Sequence, residues 1–257
     1  MTNWETQMGK YKIWFFAGGE TRNEVFNVFT GSFIRLMREI CGPYFDYVKG
    51  VYFRFPAQNV IWALNNAQKP IKFVSGNSFV TKACNQILNN NISPDTTLIL
   101  ISSSSGSIVA AQTACLLARR ISSEGILMKP FHLALGSSMI ATDSQLFLLL
   151  SEFKDKGLIG NIILDELHDA DDNTSGMGGR SKSEAYSNAF GLMIPALSSK
   201  YNGPSFLNTN PVNGHIHRRR SQTEEKAIDF IRIILVKNRL GGEELGLKAE
   251  ELIKKYC

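Results

Sequence analysis

A chain of 257 residues with 44% hydrophobic side chains is long enough to bury one substantial core, and a net charge of +5 is too modest to point to nucleic acid as a partner. No charged segment followed by an apolar stretch opens the chain, and no uninterrupted apolar run would span a bilayer; the expectation is a cytoplasmic protein without export signal or membrane span. Cys41, Cys84, Cys115 and Cys257 lack zinc or C-x-x-C spacing and read as free thiols, the first three as small core residues of helical patterns.

Tyr11–Phe16, YKIWFF, is an apolar run that predicts a strand, and it ends in Ala17-Gly18-Gly19-Glu20 ahead of a helical stretch through Asn23–Ile40. Tyr47–Phe55 reads as the next strand and Ser78–Leu88 as a helix. Residues 98–117, LILISSSSGSIVAAQTACLL, are an apolar strand that stops at four serines and a glycine, followed at once by a helix from about Ser107 to Arg120. Phe131–Leu135 predicts a strand that stops at Gly136-Ser137-Ser138, followed by a helix over Asp143–Phe153 and a strand over Ile162–Leu167. Helix Ser183–Leu197, strand Ser205–Asn208 and a closing helical pattern over Glu224–Val236 complete the order. Strands alternating with helices predict an α/β fold with a mostly parallel central sheet between helical layers. No repeat or low-complexity linker divides it, so residues 1–257 read as one domain.

The Ser-rich corner carries the chemistry. A sharp strand-to-helix turn holds one side chain exposed above the sheet, beside a helix N-terminus; here that residue is Ser104, with Ser102 and Gly106 at the flanking positions that require small residues. Helix-capping serines in an ordinary turn are the bland alternative. Further along, the strand Asn161–Leu167 runs into Asp169, Asp171 and Asp172, and Gly214-His215 precedes the closing helix. The acidic cluster is no EF-hand, because Thr174 and Arg180 stand where glycine and a bidentate glutamate are needed. Two of its three aspartates also suit a plain solvated turn.

Serine, acid and histidine in this order, on alternating strands and helices, resemble the α/β-hydrolases from about Lys12 to Leu235. Ser102 departs from the family's G-x-S-x-G elbow, and Ala17-Gly18 stands where a His-Gly pair is common. The resemblance implies a lipase- or esterase-like serine hydrolase on a three-layer sandwich, minimal because the early antiparallel strands are missing and no separate cap domain fits between Gly136 and Ile162. It implies Ser104 as nucleophile, His215 as general base and Asp172 as the acid, with Asp171 and Asp169 as alternatives and Asp165 and Glu166 within the strand. The oxyanion hole would use the backbone N–H of Ser105 and a donor at Gly18 or Gly19. No metal or organic cofactor is implied; the partner is a small-molecule or lipid ester.

Trp14, Phe15 and Phe16 read first as core and only second as an acyl-binding wall. Arg218, Arg219 and Arg220 read as a solvated run, or as a lure for an anionic substrate if they face the cleft, and residues 175–203 as a flap beside it. A different class remains: the Ser-Ser-Ser-Gly turn also resembles the phosphate-cradling loop of sugar isomerase domains, with Ile108 where a hydroxyl residue is expected. A catalytically silent hydrolase fold is the third reading.

Overall fold

The computed structural model describes residues 11–17, 24–48, 78–90, 92–103, 106–136, 140–164 and 220–256. Within them, five strands form one all-parallel sheet: β1 (Tyr11–Phe16), β2 (Phe45–Val48), β3 (Thr97–Ser103), β4 (Phe131–Gly136) and β5 (Ile159–Ile163). The spatial order is β2-β1-β3-β4-β5. The chain therefore leaves β1 toward one edge, returns, and continues on the other side. That reversal puts a topological switch point between the carboxyl ends of β1 and β3.

Among the described residues the six α-helices are α1 (Glu24–Cys41), α2 (Ser78–Asn89), α3 (Gly106–Glu124), α4 (Gln145–Asp155), α5 (Arg220–Ile231) and α6 (Gly242–Lys254). Between α5 and α6 lies a π-helical segment, Arg232–Lys237. Parallel strands covered on both faces are apolar where they are covered, and β1 follows this from its third residue on: Ile13, Trp14, Phe15 and Phe16 are all buried, whereas Tyr11 and Lys12 at its start are half-buried. Alternation divides them. Trp14 and Phe16 join Leu98, Leu100, Leu133 and Leu135 under α2, α3 and α4, whereas Ile13 and Phe15 join Ile99, Ile101 and Ala134 under α1, α5, the π-helical segment and α6. The result is a three-layer α/β sandwich, and Trp14, Phe15 and Phe16 of β1 serve its core. Cys41, Cys84 and Cys115 are buried and unbridged. Among the described residues, no helix is long and apolar enough to cross a membrane.

Several boundaries differ from the sequence reading. The second strand begins at Phe45, because Gly42, just past the end of α1, adopts the left-handed region (φ 56°) and a short turn through Pro43 delivers the chain directly alongside β1. Residues 49–55 of the predicted strand lie outside the described residues. The fifth strand spans Ile159–Ile163 instead of Ile162–Leu167, and Asp165 and Glu166, read as strand residues, lie outside the described residues beyond its end. Its opening was hidden by Gly160 and Asn161, which break the apolar pattern where β5 shifts register against β4. The closing helical pattern divides: α5 starts at Arg220, and the backbone widens after Ile231 into the π-helical segment. The predicted helix Ser183–Leu197, strand Ser205–Asn208 and flap lie outside the described residues.

Candidate functional site

The carboxyl ends of β1, β3 and β4 meet at the switch point, and the register fixes who stands beside whom. Phe16 faces Ser102 across β1 and β3, and Ser103 faces Gly136 across β3 and β4. Only two residues separate β3 from α3, so the first turn of the helix is forced down onto the end of β1. A β-carbon built on Gly106 would stand 2.6 Å from the carbonyl oxygen of Ala17 and closer still to that of Phe16. Only glycine fits there, and no relaxation is available because the opposing atoms are backbone. The 19 residues of α3 then aim their N-terminus, with about half a unit of positive charge, at this corner.

Two of the serines belong to the framework. Ser102 is buried, and its hydroxyl donates to the carbonyl oxygen of Ala134 on β4 at 3.3 Å. Ser107, in the first turn of α3, is fully buried as well. Ser103 ends β3 at only 4% exposure. The corner thus buries the serines that flank Ser104 and Ser105, and those two lie outside the described residues. The same holds for Gly18 and Gly19, for Asp169, Asp171 and Asp172, and for His215, Arg218 and Arg219. Arg220 is the first residue of α5. What the described residues bring together are the sequence neighbours of the predicted groups: Ala17, immediately before Gly18, and Gly106, immediately after Ser105, touch.

Two residues at this end of the sheet, Gly136 and Phe230, have no place in the site read from the sequence. A β-carbon on Gly136 would stand 2.5 Å from Cζ of Phe230 and 2.7 Å from the carbonyl oxygen of Ser102, so the ring of an α5 residue fills the place of a side chain on β4. Phe230 is buried and meets Phe33 edge-on at 6.2 Å between centroids; Phe33 in turn lies 4.5 Å from Phe15. This aromatic row ties α5 and α1 to the sheet beside the corner. A glycine closing an apolar run was the only signal for Gly136, and nothing local could name its partner 94 positions later.

Among the described residues, the shifted ionisable groups lie away from this corner. Burial pushes the thiols of Cys41 and Cys115 up to about 12 and raises that of Cys84, while burial lowers His132 on β4. Among the described residues, no three His, Cys, Asp or Glu side chains come together as metal ligands. No family model, curated protein or solved structure matches the chain, so the corner's own geometry carries the functional reading.

Proposed function

We propose that this chain is a serine hydrolase that cleaves a carboxylic ester on a minimal α/β-hydrolase-like sandwich without a separate cap. Ser104 attacks the ester carbonyl, and His215 takes the hydroxyl proton and passes it to the leaving alcohol. Asp172, with Asp171 and Asp169 as the alternatives, holds the imidazole in the required tautomer. The N–H of Ser105 and a backbone donor at Gly18 or Gly19 receive the oxyanion. Water activated by His215 then releases the acyl group from Ser104, so no cofactor enters.

The contact of Gly106 with the Phe16 and Ala17 carbonyls carries this reading. It brings the residue before the glycine pair against the residue after the serine corner, which supports a nucleophile and an oxyanion donor drawn from these two separate segments. The acidic cluster follows β5, which stands two strands from β3, about 10 Å at about 4.8 Å per strand. A serine, an imidazole and a carboxylate joined by two hydrogen bonds bridge a gap of that order.

The test is labelling by a fluorophosphonate probe together with hydrolysis of short p-nitrophenyl esters, for the native chain and for Ser104→Ala. The reading requires labelling and turnover that both vanish in the variant. Labelling that survives Ser104→Ala removes the serine from its role. One observation favours a second class: the same α3 N-terminus at a β1/β3 switch point suits a phosphate. In that case a sugar phosphate binds the native chain, and no probe labels it.

A further inference from the structure

Strands β4 and β5 run one residue out of step. Phe131 faces Ile159, but Leu133 faces Ile162, so β5 uses three residues where β4 uses two. The surplus falls at Gly160 and Asn161, opposite His132. A bulge leaves a backbone N–H without its ladder carbonyl. Here the orphan is satisfied by a side chain: the Asn161 N–H donates to Nδ1 of His132 at 3.1 Å. Gly160 makes room for the ring, since a β-carbon there would stand 2.8 Å from Cε1 and 2.9 Å from Nδ1 of His132.

We propose that His132 is a protonation-sensitive latch on the β4–β5 register, closed while Nδ1 accepts from Asn161 and open once that nitrogen carries a proton. A neutral imidazole offers one acceptor and one donor; an imidazolium offers two donors. Protonated Nδ1 would face the Asn161 N–H donor to donor, and the bulge would lose the bond that pins it. Among the described residues β5 pairs only with β4, so this bond secures an outer strand of the described sheet.

The surroundings keep the latch closed at neutral pH. Strands β3, β4 and β5 contain no ionisable side chain other than His132 itself. The nearest charged residues in sequence on the adjoining connections are Lys129, Asp155 and Lys156. The described charged residues of the helices on the Ala134 face are Arg35, Arg38 and Glu39 of α1, Glu224, Glu225 and Asp229 of α5, Arg232 and Lys237 of the π-helical segment, and Glu243, Glu244, Lys248, Glu250, Glu251 and Lys254 of α6; Asp229 pairs with Arg232 at the surface. None of them shifts the ring; burial alone lowers it. The sign follows. A histidine held below its ordinary 6.5 favours the folded register above that value, and the advantage is lost as pH falls from there through the folded pKa.

The experiment is a pH titration of the full-length, ¹⁵N-labelled chain from pH 8 downward, following the His132 ring nitrogens and the hydrogen-exchange protection of the Asn161 amide. His132 should titrate below 6.5, and Asn161 protection should fall at least tenfold in step with it, while the amides of Trp14 and Leu100 in the central strands stay protected. His132→Gln, which offers an acceptor that does not titrate, should keep Asn161 protected throughout. Asn161 protection that is indifferent to the ring's titration overturns the latch. So does loss of Asn161 only together with the central strands, or the same acid loss in His132→Gln. The wild-type titration decides the matter even if the variant does not fold, and it is independent of any triad.

Discussion

Gly106 and Ala17 are in contact through backbone: a β-carbon on the glycine would come within 2.6 Å of the alanine carbonyl oxygen. Helix α3 rests on the end of β1 by virtue of one missing methyl group. Gly106→Ala is expected to cost at least about 2 kcal/mol, in the range of overpacking into a site that cannot yield. Gly31 is the control. It lies exposed in α1 with open space where a β-carbon would go, so Gly31→Ala should stabilise the chain by about 0.5–1 kcal/mol. Urea unfolding of the two variants checks both signs. If Gly106→Ala unfolds at the native midpoint, the close packing of α3 on β1 is wrong.

The serines of the corner should separate into two behaviours. Ser102 donates to the Ala134 carbonyl inside the sheet, so Ser102→Ala should lower stability by about 1 kcal/mol and leave fluorophosphonate labelling in place. Ser104→Ala should leave stability nearly unchanged and abolish labelling. Mass spectrometry of the labelled native chain gives the same answer at the level of the peptide. Label on Ser103 or Ser105 would move the bend by one residue.

What could be read from the sequence was what local pattern determines. YKIWFF and TLILISS announce β1 and β3 through apolar runs, and Gly106 could be singled out because a strand-to-helix corner this short leaves no space for a side chain. Ser78–Leu88 came within one residue of α2 because its apolar residues recur at helical spacing. Other features depend on partners distant in sequence. The start of β5 is invisible because Gly160 and Asn161 make sense only against His132, and Gly136 requires the ring of Phe230. Likewise, Phe45 becomes a strand residue through pairing with Ile13, which no local periodicity at Phe45 reveals. The candidate corner was legible as a motif; the burial of Ser102, Ser103 and Ser107 around it was not.

The buried thiols set a limit on alkaline stability. Cys41 and Cys115 are pushed from 9.0 to about 12 by burial, ahead of the opposing effects of Lys248 on the first and Arg119 on the second. In each, the folded chain holds a proton that the unfolded chain releases above about 9. Stability from this source is therefore full below that pH and declines as pH rises through the window up to about 12, each thiol adding about 1.4 kcal/mol per pH unit to the slope at most. Urea midpoints measured from pH 8 to 10.5 should fall more gently for Cys41→Ala/Cys115→Ala than for the native chain, although the variant starts lower at pH 8 from the packing it has lost. Parallel slopes would show that these thiols ionise in the folded protein. Under the same view, neither thiol should react with a disulfide reagent at pH 8 until denaturant is added.

Two residues after His215 the sequence places a second histidine, His217, and the choice between the two follows from the proposed triad. A general base must be neutral before it can accept the Ser104 proton, so kcat/KM for ester hydrolysis should rise with pH through the imidazole range, near 6.5 for an unperturbed ring, and level off above it. His215→Ala should remove that pH dependence and lower kcat by about 10⁴-fold or more. His217→Ala should keep the rising limb and change mainly KM, because a neighbour of the base contacts substrate or loop without moving the proton. Turnover rates with the reverse ranking would assign the base to His217. If both variants retain the native rate and its pH limb, no histidine of this stretch serves Ser104, and the Gly106–Ala17 corner is better explained as a phosphate cradle at the head of α3.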